Sequence, residues 1–81
     1  MTIETKHWLD GDAPMITHHV KGDDVDFQLT VCADEGLRPK EFQLHGLWNE
    51  DELIDAIQQI VGDSDVMIAP GSGKVSVLYS R

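Results

Sequence analysis

Cysteine occurs once in this chain, at Cys32, so no intrachain disulfide can form. Small secreted domains reinforce thin cores with several bridges, and a lone thiol therefore points to a reducing, cytoplasmic setting. No apolar run approaches the roughly 18 residues that a membrane span needs. Met1 to Asp12 lacks the apolar centre of a signal peptide and carries Glu4, Lys6, Asp10 and Asp12, so export by that route is not expected. Basic residues are scarce: six Lys plus Arg stand against fifteen Asp plus Glu, for a net charge of −9 and a pI of about 4.5. That imbalance argues against direct binding to nucleic acid or anionic lipid, and any charged partner should be basic. Length is the last scarcity, because 81 residues leave room for one domain with a modest core and exclude a second.

What is present reads as a small α+β fold. Residues 1–13 show no sustained period, and Asp10-Gly11-Asp12 before Pro14 reads as a turn ending a loosely ordered N-terminal arm. Within it, Trp8 is large enough to anchor the arm against a core or a partner. From Met15 the period becomes two, with Ile16, His18 and Val20 on one side, which is a strand. After the turn Lys21-Gly22-Asp23-Asp24, the residues Val25, Phe27, Leu29, Val31 and Ala33 alternate against polar ones, giving the clearest strand and a hairpin with the first. The Phe27-Leu29-Val31 face should meet a core, and the Gln28-Thr30 face should meet water. Glu41 to His45 reads as a third strand. Asn49 is an N-cap residue with Glu52 three positions on, so a helix starts near Glu50. Leu53, Ile54, Ile57, Ile60 and Val61 share a stripe on it, and Gly62 stops it. Asp65 to Ala69 and Lys74 to Ser80, joined by Pro70-Gly71-Ser72-Gly73, form a second hairpin. The order β-β-β-α-β-β predicts an antiparallel sheet over residues 14–81 with one amphipathic helix across a face.

Motifs that would carry chemistry fail on spacing. Gly71-Ser72-Gly73-Lys74 invites a phosphate-loop reading, but Ile68 stands where that motif needs glycine and Val75 where it needs Ser or Thr. The segment also enters a strand, whereas a phosphate cradle opens a helix. His7, His18, His19, His45 and Cys32 do not fall at the spacing of a structural zinc site, and adjacent His18 and His19 point to opposite faces of a strand. An outward His45 near Cys32 is the one arrangement for weak zinc binding. Cys32 with His18 or His45 is the only candidate nucleophile and base. No catalytic residue, metal or cofactor is expected, and the chain reads as a non-enzyme.

Charge placement is the remaining signal. Residues 41–65 hold Glu41, Glu50, Asp51, Glu52, Asp55, Asp63 and Asp65 and no Lys or Arg. Asp51 and Asp55 stand roughly 5–6 Å apart on a helix, and Asp24 and Asp26 roughly 6–7 Å apart on a strand. Both intervals are of the order of the phosphate repeat of a nucleic-acid strand. An uncompensated acidic surface raises self-repulsion and attracts basic partners at salt-dependent rates.

In size, acidity, single-domain α+β pattern and the acidic segment Asn49 to Asp65, the chain resembles the small inhibitors that bacteriophages make against host defence, anti-CRISPR proteins among them. That resemblance implies a stoichiometric inhibitor occupying a Lys/Arg-rich nucleic-acid groove of an effector complex. The expected docking residues are Glu50, Asp51, Asp55, Asp63, Asp24 and Asp26, with Trp48 or Trp8 as an apolar anchor. The expected partner is a basic protein or nucleoprotein complex, met by a monomer or homodimer. The alternatives are an immunity or antitoxin protein neutralising a basic nuclease, and a small metal- or thiol-dependent protein.

Overall fold

The computed structural model describes residues 1–33, 40–62, 64–69 and 73–79. Its elements are β1 (Thr2–Asp10), β2 (Ala13–Lys21), β3 (Asp26–Cys32), β4 (Lys40–Leu47), α1 (Glu50–Val61), β5 (Ser64–Ala69) and β6 (Lys74–Tyr79). The sheet thus has six strands, where the sequence predicted five.

The additional strand is β1, in the segment read as a loose arm. It pairs with β2 along its whole length, from Thr2 opposite Lys21 to Asp10 opposite Ala13. Gly11 makes this possible: it holds φ 64 at the first central position of a two-residue loop, and among the described residues no non-glycine has positive φ. Glycine there gives the type II′ geometry that matches strand twist. The sequence showed no apolar alternation over Thr2–Asp10 because an edge strand with both faces wet has none to show. Every residue of β1 except Ile3 is exposed.

The strand order is β1-β2-β3-β4-β6-β5, with every neighbouring pair antiparallel. The chain leaves β4, crosses the sheet as α1, reaches the far edge as β5 and returns as β6 between β4 and β5. This crossover lays α1 over one face. Leu53, Ala56 and Ile57 of α1 are fully buried against Val20, Phe27, Leu29, Phe42, Leu44, Val75 and Val77. Each large side chain buried there contributes about 1.5–3 kcal/mol. The buried stripe is centred on Leu53 and Ile57, so Ile54, one residue round the helix, is only half-buried and Ala56 takes its place. Phe27, Leu29 and Val31 face this core, whereas Gln28 is exposed on the opposite face, as the alternation of β3 requires. Among the described residues no helix is long and apolar enough to cross a membrane.

Candidate functional site

Acidic residues gather where the β2–β3 turn meets the start of α1. Asn49 caps the helix, its side-chain Oδ1 accepting the Glu52 backbone N–H at 2.9 Å, and its carbonyl accepts that of Leu53 at 3.0 Å. Glu50, Asp51 and Glu52 fill the first turn, where the positive end of the helix dipole offsets part of their repulsion. The turn is pinned against the helix by Val25, which is buried, and it closes with the Gly22 N–H donating to the Val25 carbonyl at 2.9 Å. Asp23 and Asp24 consequently line one cleft of about 370 Å³ with Asn49, Glu52, Asp55 and Met1. Among the described residues no Lys or Arg side chain lines it. Residues distant in sequence, Asp24 and Asp55, therefore share one surface.

The same turn has a second side. A shallow depression of about 430 Å³ runs along Lys21, Asp23, Asp24, Asp26 and Leu47. Asp26 lies there on the open face of the sheet, its Oδ1 2.6 Å from His19 Nε2. Leu47 is 66% exposed and Trp48 38%, so the β4–α1 junction presents two apolar side chains beside the acidic cleft. Sequence reasoning picked out Trp48 but missed Leu47 and Asp23; the signal for Leu47 was its position just outside the Phe42–Leu44 alternation. Glu50 and Asp51 are exposed on the first turn of α1. Asp63 lies outside the described residues.

The open face of the sheet carries a polar ladder. The Trp8 indole N–H donates to the Thr17 hydroxyl at 2.8 Å, and the Thr17 and Thr30 hydroxyls bond at 3.1 Å. This chain ties β1, β2 and β3 together across their wet side. Trp8 is thereby held on the sheet surface, over a groove of about 620 Å³ that Glu4, Lys6, His19 and Gln28 also line.

The candidate nucleophile and base do not meet. His18 is buried on the core face, bonded through Nδ1 to the Thr5 hydroxyl at 3.0 Å and edge-on to Phe42 at 6.3 Å. Cys32 points to the other face of the sheet, two strand positions from Thr30. His45 shares that face but stands opposite Gln28, four residues from Cys32, or roughly 13 Å along the strand. Among the described residues no three His, Cys, Asp or Glu side chains converge on a point that could hold a metal ion. Of the glycine-rich segment, Gly73 takes φ 72 and its carbonyl accepts the Leu44 N–H at 2.6 Å, immediately before β6. Its geometry closes a strand pairing; Pro70, Gly71 and Ser72 lie outside the described residues.

Fold and surface together define a small six-stranded antiparallel sheet with one covering helix and an acidic end. No family model, curated protein or solved structure matches the chain.

Proposed function

We propose that this protein is a non-enzymatic binding protein whose acidic end docks on a Lys/Arg-rich surface of a protein partner. The observation that carries this reading is the cleft in which Asp23 and Asp24 of the turn stand with Glu52 and Asp55 of α1 and, among the described residues, no basic side chain. Among the described residues none of these acids has a Lys or Arg partner. Six carboxylates, with Glu50 and Asp51, are left to attract cations, and a folded protein that keeps such repulsion gives up some stability for it. Trp48 and Leu47 at the rim supply apolar contact of the kind that holds a complex once charge has steered it. The partner surface that best complements a run of carboxylates beside an aromatic residue is one that otherwise grips a nucleic-acid backbone. A CRISPR effector complex is one such target, and inhibition would follow from occupying the groove.

The test is competition. Tagged protein is mixed with host lysate at low and high salt, the retained protein is identified by mass spectrometry, and its nucleic acid is titrated in. A basic nucleic-acid-binding protein should be held at low salt, released at high salt and displaced by its own nucleic acid. The double variant Asp24→Lys, Asp55→Lys should lose it, since setting two like charges against a basic surface should cost about 3 kcal/mol, about a hundredfold in affinity. Undiminished binding by that variant would sink the acidic-end reading. A secreted or plasmid-type nuclease as the retained protein would favour an immunity role for the same surface.

A further inference from the structure

We propose that β1 is a self-association edge, on which a second copy of this chain adds its own β1 antiparallel to form one continuous sheet with Thr5 on the two-fold axis. The edge is long and, Lys6 apart, lacks the features that usually block an edge. β1 spans nine residues, pairs with β2 without a bulge, and contains no proline. Natural edges usually carry such blocking features because unpaired backbone N–H and C=O groups template further pairing. β1 also carries little net charge: Glu4, Lys6 and Asp10 sum to −1 in a chain of −9.

The register follows from symmetry and charge. A two-fold axis normal to the sheet keeps like faces together, so the residue on the axis faces its own copy. An axis through Lys6 sets two ammonium groups against each other, and one through Glu4 does the same with carboxylates. An axis through His7 opposes Glu4 to Asp10 twice. The axis through Thr5 opposes Glu4 to Lys6 twice, on the wet face. On the other face it sets Met1 opposite Leu9, two apolar side chains that are 47% and 69% exposed in the single chain, and Ile3 opposite His7. One register thus satisfies both the charges and the exposed apolar residues.

The arrangement also keeps like charge apart. Thr2 pairs with Lys21 beside the acidic turn, and in this register it stands opposite the partner's Trp8. The two acidic ends therefore lie at opposite ends of the seam, roughly 20 Å apart along it, well beyond a Debye length of about 8 Å at physiological salt. The other edge, β5, is shorter, at six residues, and its one charged residue, Asp65, offers no complementary pair. The seam and the acidic cleft share one side chain, Met1.

Sedimentation equilibrium of the intact chain at micromolar to millimolar concentration reads the association directly. A dimer is expected; a monomer throughout, or an open series of larger species from pairing of β1 with β5, overturns the proposal. Glu4→Lys, at an exposed position, should weaken the dimer at least about tenfold by placing like charges in both cross-strand pairs. The swap Glu4→Lys with Lys6→Glu should restore it, and failure of the swap would remove the register. On a Cys32→Ser background, Thr5→Cys should oxidise to a disulfide-linked dimer, since directly opposed strand residues have Cα atoms about 4.5–5.5 Å apart. Preferential linkage by Lys6→Cys instead would place the axis elsewhere and overturn this register.

Discussion

At the residue scale, two positions set the junctions that hold the acidic end. Asn49 supplies one helix N–H with a partner through the 2.9 Å bond to the Glu52 backbone. Replacing it with alanine leaves that donor to water and should cost about 1 kcal/mol, read as a lower urea midpoint with unchanged slope. Asn49→Asp should recover most of the loss, because an aspartate side chain caps equally well. Gly46 is constrained more severely. It takes φ 110 in β4, directly opposite Phe27, and a Cβ there would run into the Asp26 carbonyl oxygen and come within 2.9 Å of Phe27 Cα. The obstacle is backbone, which cannot swing aside as a flexible side chain can. Gly46→Ala should therefore cost about 3 kcal/mol or more, the strained φ supplying roughly 1–3 of it. It should also disturb the amide signals of Asp26 and Phe27 in a two-dimensional NMR spectrum. A change of less than about 1 kcal/mol would show that β3 and β4 can slide apart there at little cost.

At the scale of elements, what could be read in the chain was what burial had written into it. β3 was legible because Phe27, Leu29 and Val31 are buried and their neighbours are not. α1 was legible at both ends because Asn49 and Gly62 have conformational roles that few other residues fill: Asn49 extended at φ −129 and Gly62 at φ 84, its N–H returning to the Gln58 carbonyl. β1 was illegible as a strand for the converse reason, although Gly11-Asp12 is a two-residue hairpin signal in its own right. The strand order was beyond reach, since the insertion of β6 between β4 and β5 depends on contacts such as Phe42 opposite Val75 that no local pattern encodes. In the candidate site, the acidic run on α1 could be counted from the sequence, but the approach of Asp23 and Asp24 to Asp55 could not. Asp55 also carries an intrahelical cost: it faces Asp51 one turn back and has only a long bond, 3.4 Å, from Gln59. Asp55→Lys should convert that repulsion into an attraction in the favourable acid-before-base order and raise stability by roughly 0.5 kcal/mol. The same change should weaken partner binding. A gain in melting temperature together with a loss of affinity would mark Asp55 as a residue kept for docking, whereas a loss of both would mean that its role is structural.

At the scale of the whole molecule, the net charge of −9 is spread unevenly. The near-neutral β1 lies at one edge of the sheet, and the turn and α1 concentrate carboxylates at one end. Self-repulsion within that end opposes folding, while attraction to a cationic surface favours binding, so added salt should act on the two with opposite sign. Screening contracts from about 10 Å at 0.1 M to about 3 Å at 1 M ionic strength, a range that spans the distances within a cluster of side chains on one helix and one turn. The melting temperature should therefore rise with sodium chloride over this interval, and the affinity for a basic partner should fall over the same interval. Sodium sulfate would confuse the first measurement, because it strengthens apolar burial through exclusion from the surface; chloride at matched ionic strength isolates the electrostatic part. The double variant Asp24→Lys, Asp55→Lys supplies the internal control, since it removes two carboxylates from the cluster and should flatten both salt dependences together. If the melting temperature of the natural sequence is already insensitive to chloride, the carboxylates are too well solvated to repel one another. The strain that the docking reading attributes to them would then be absent.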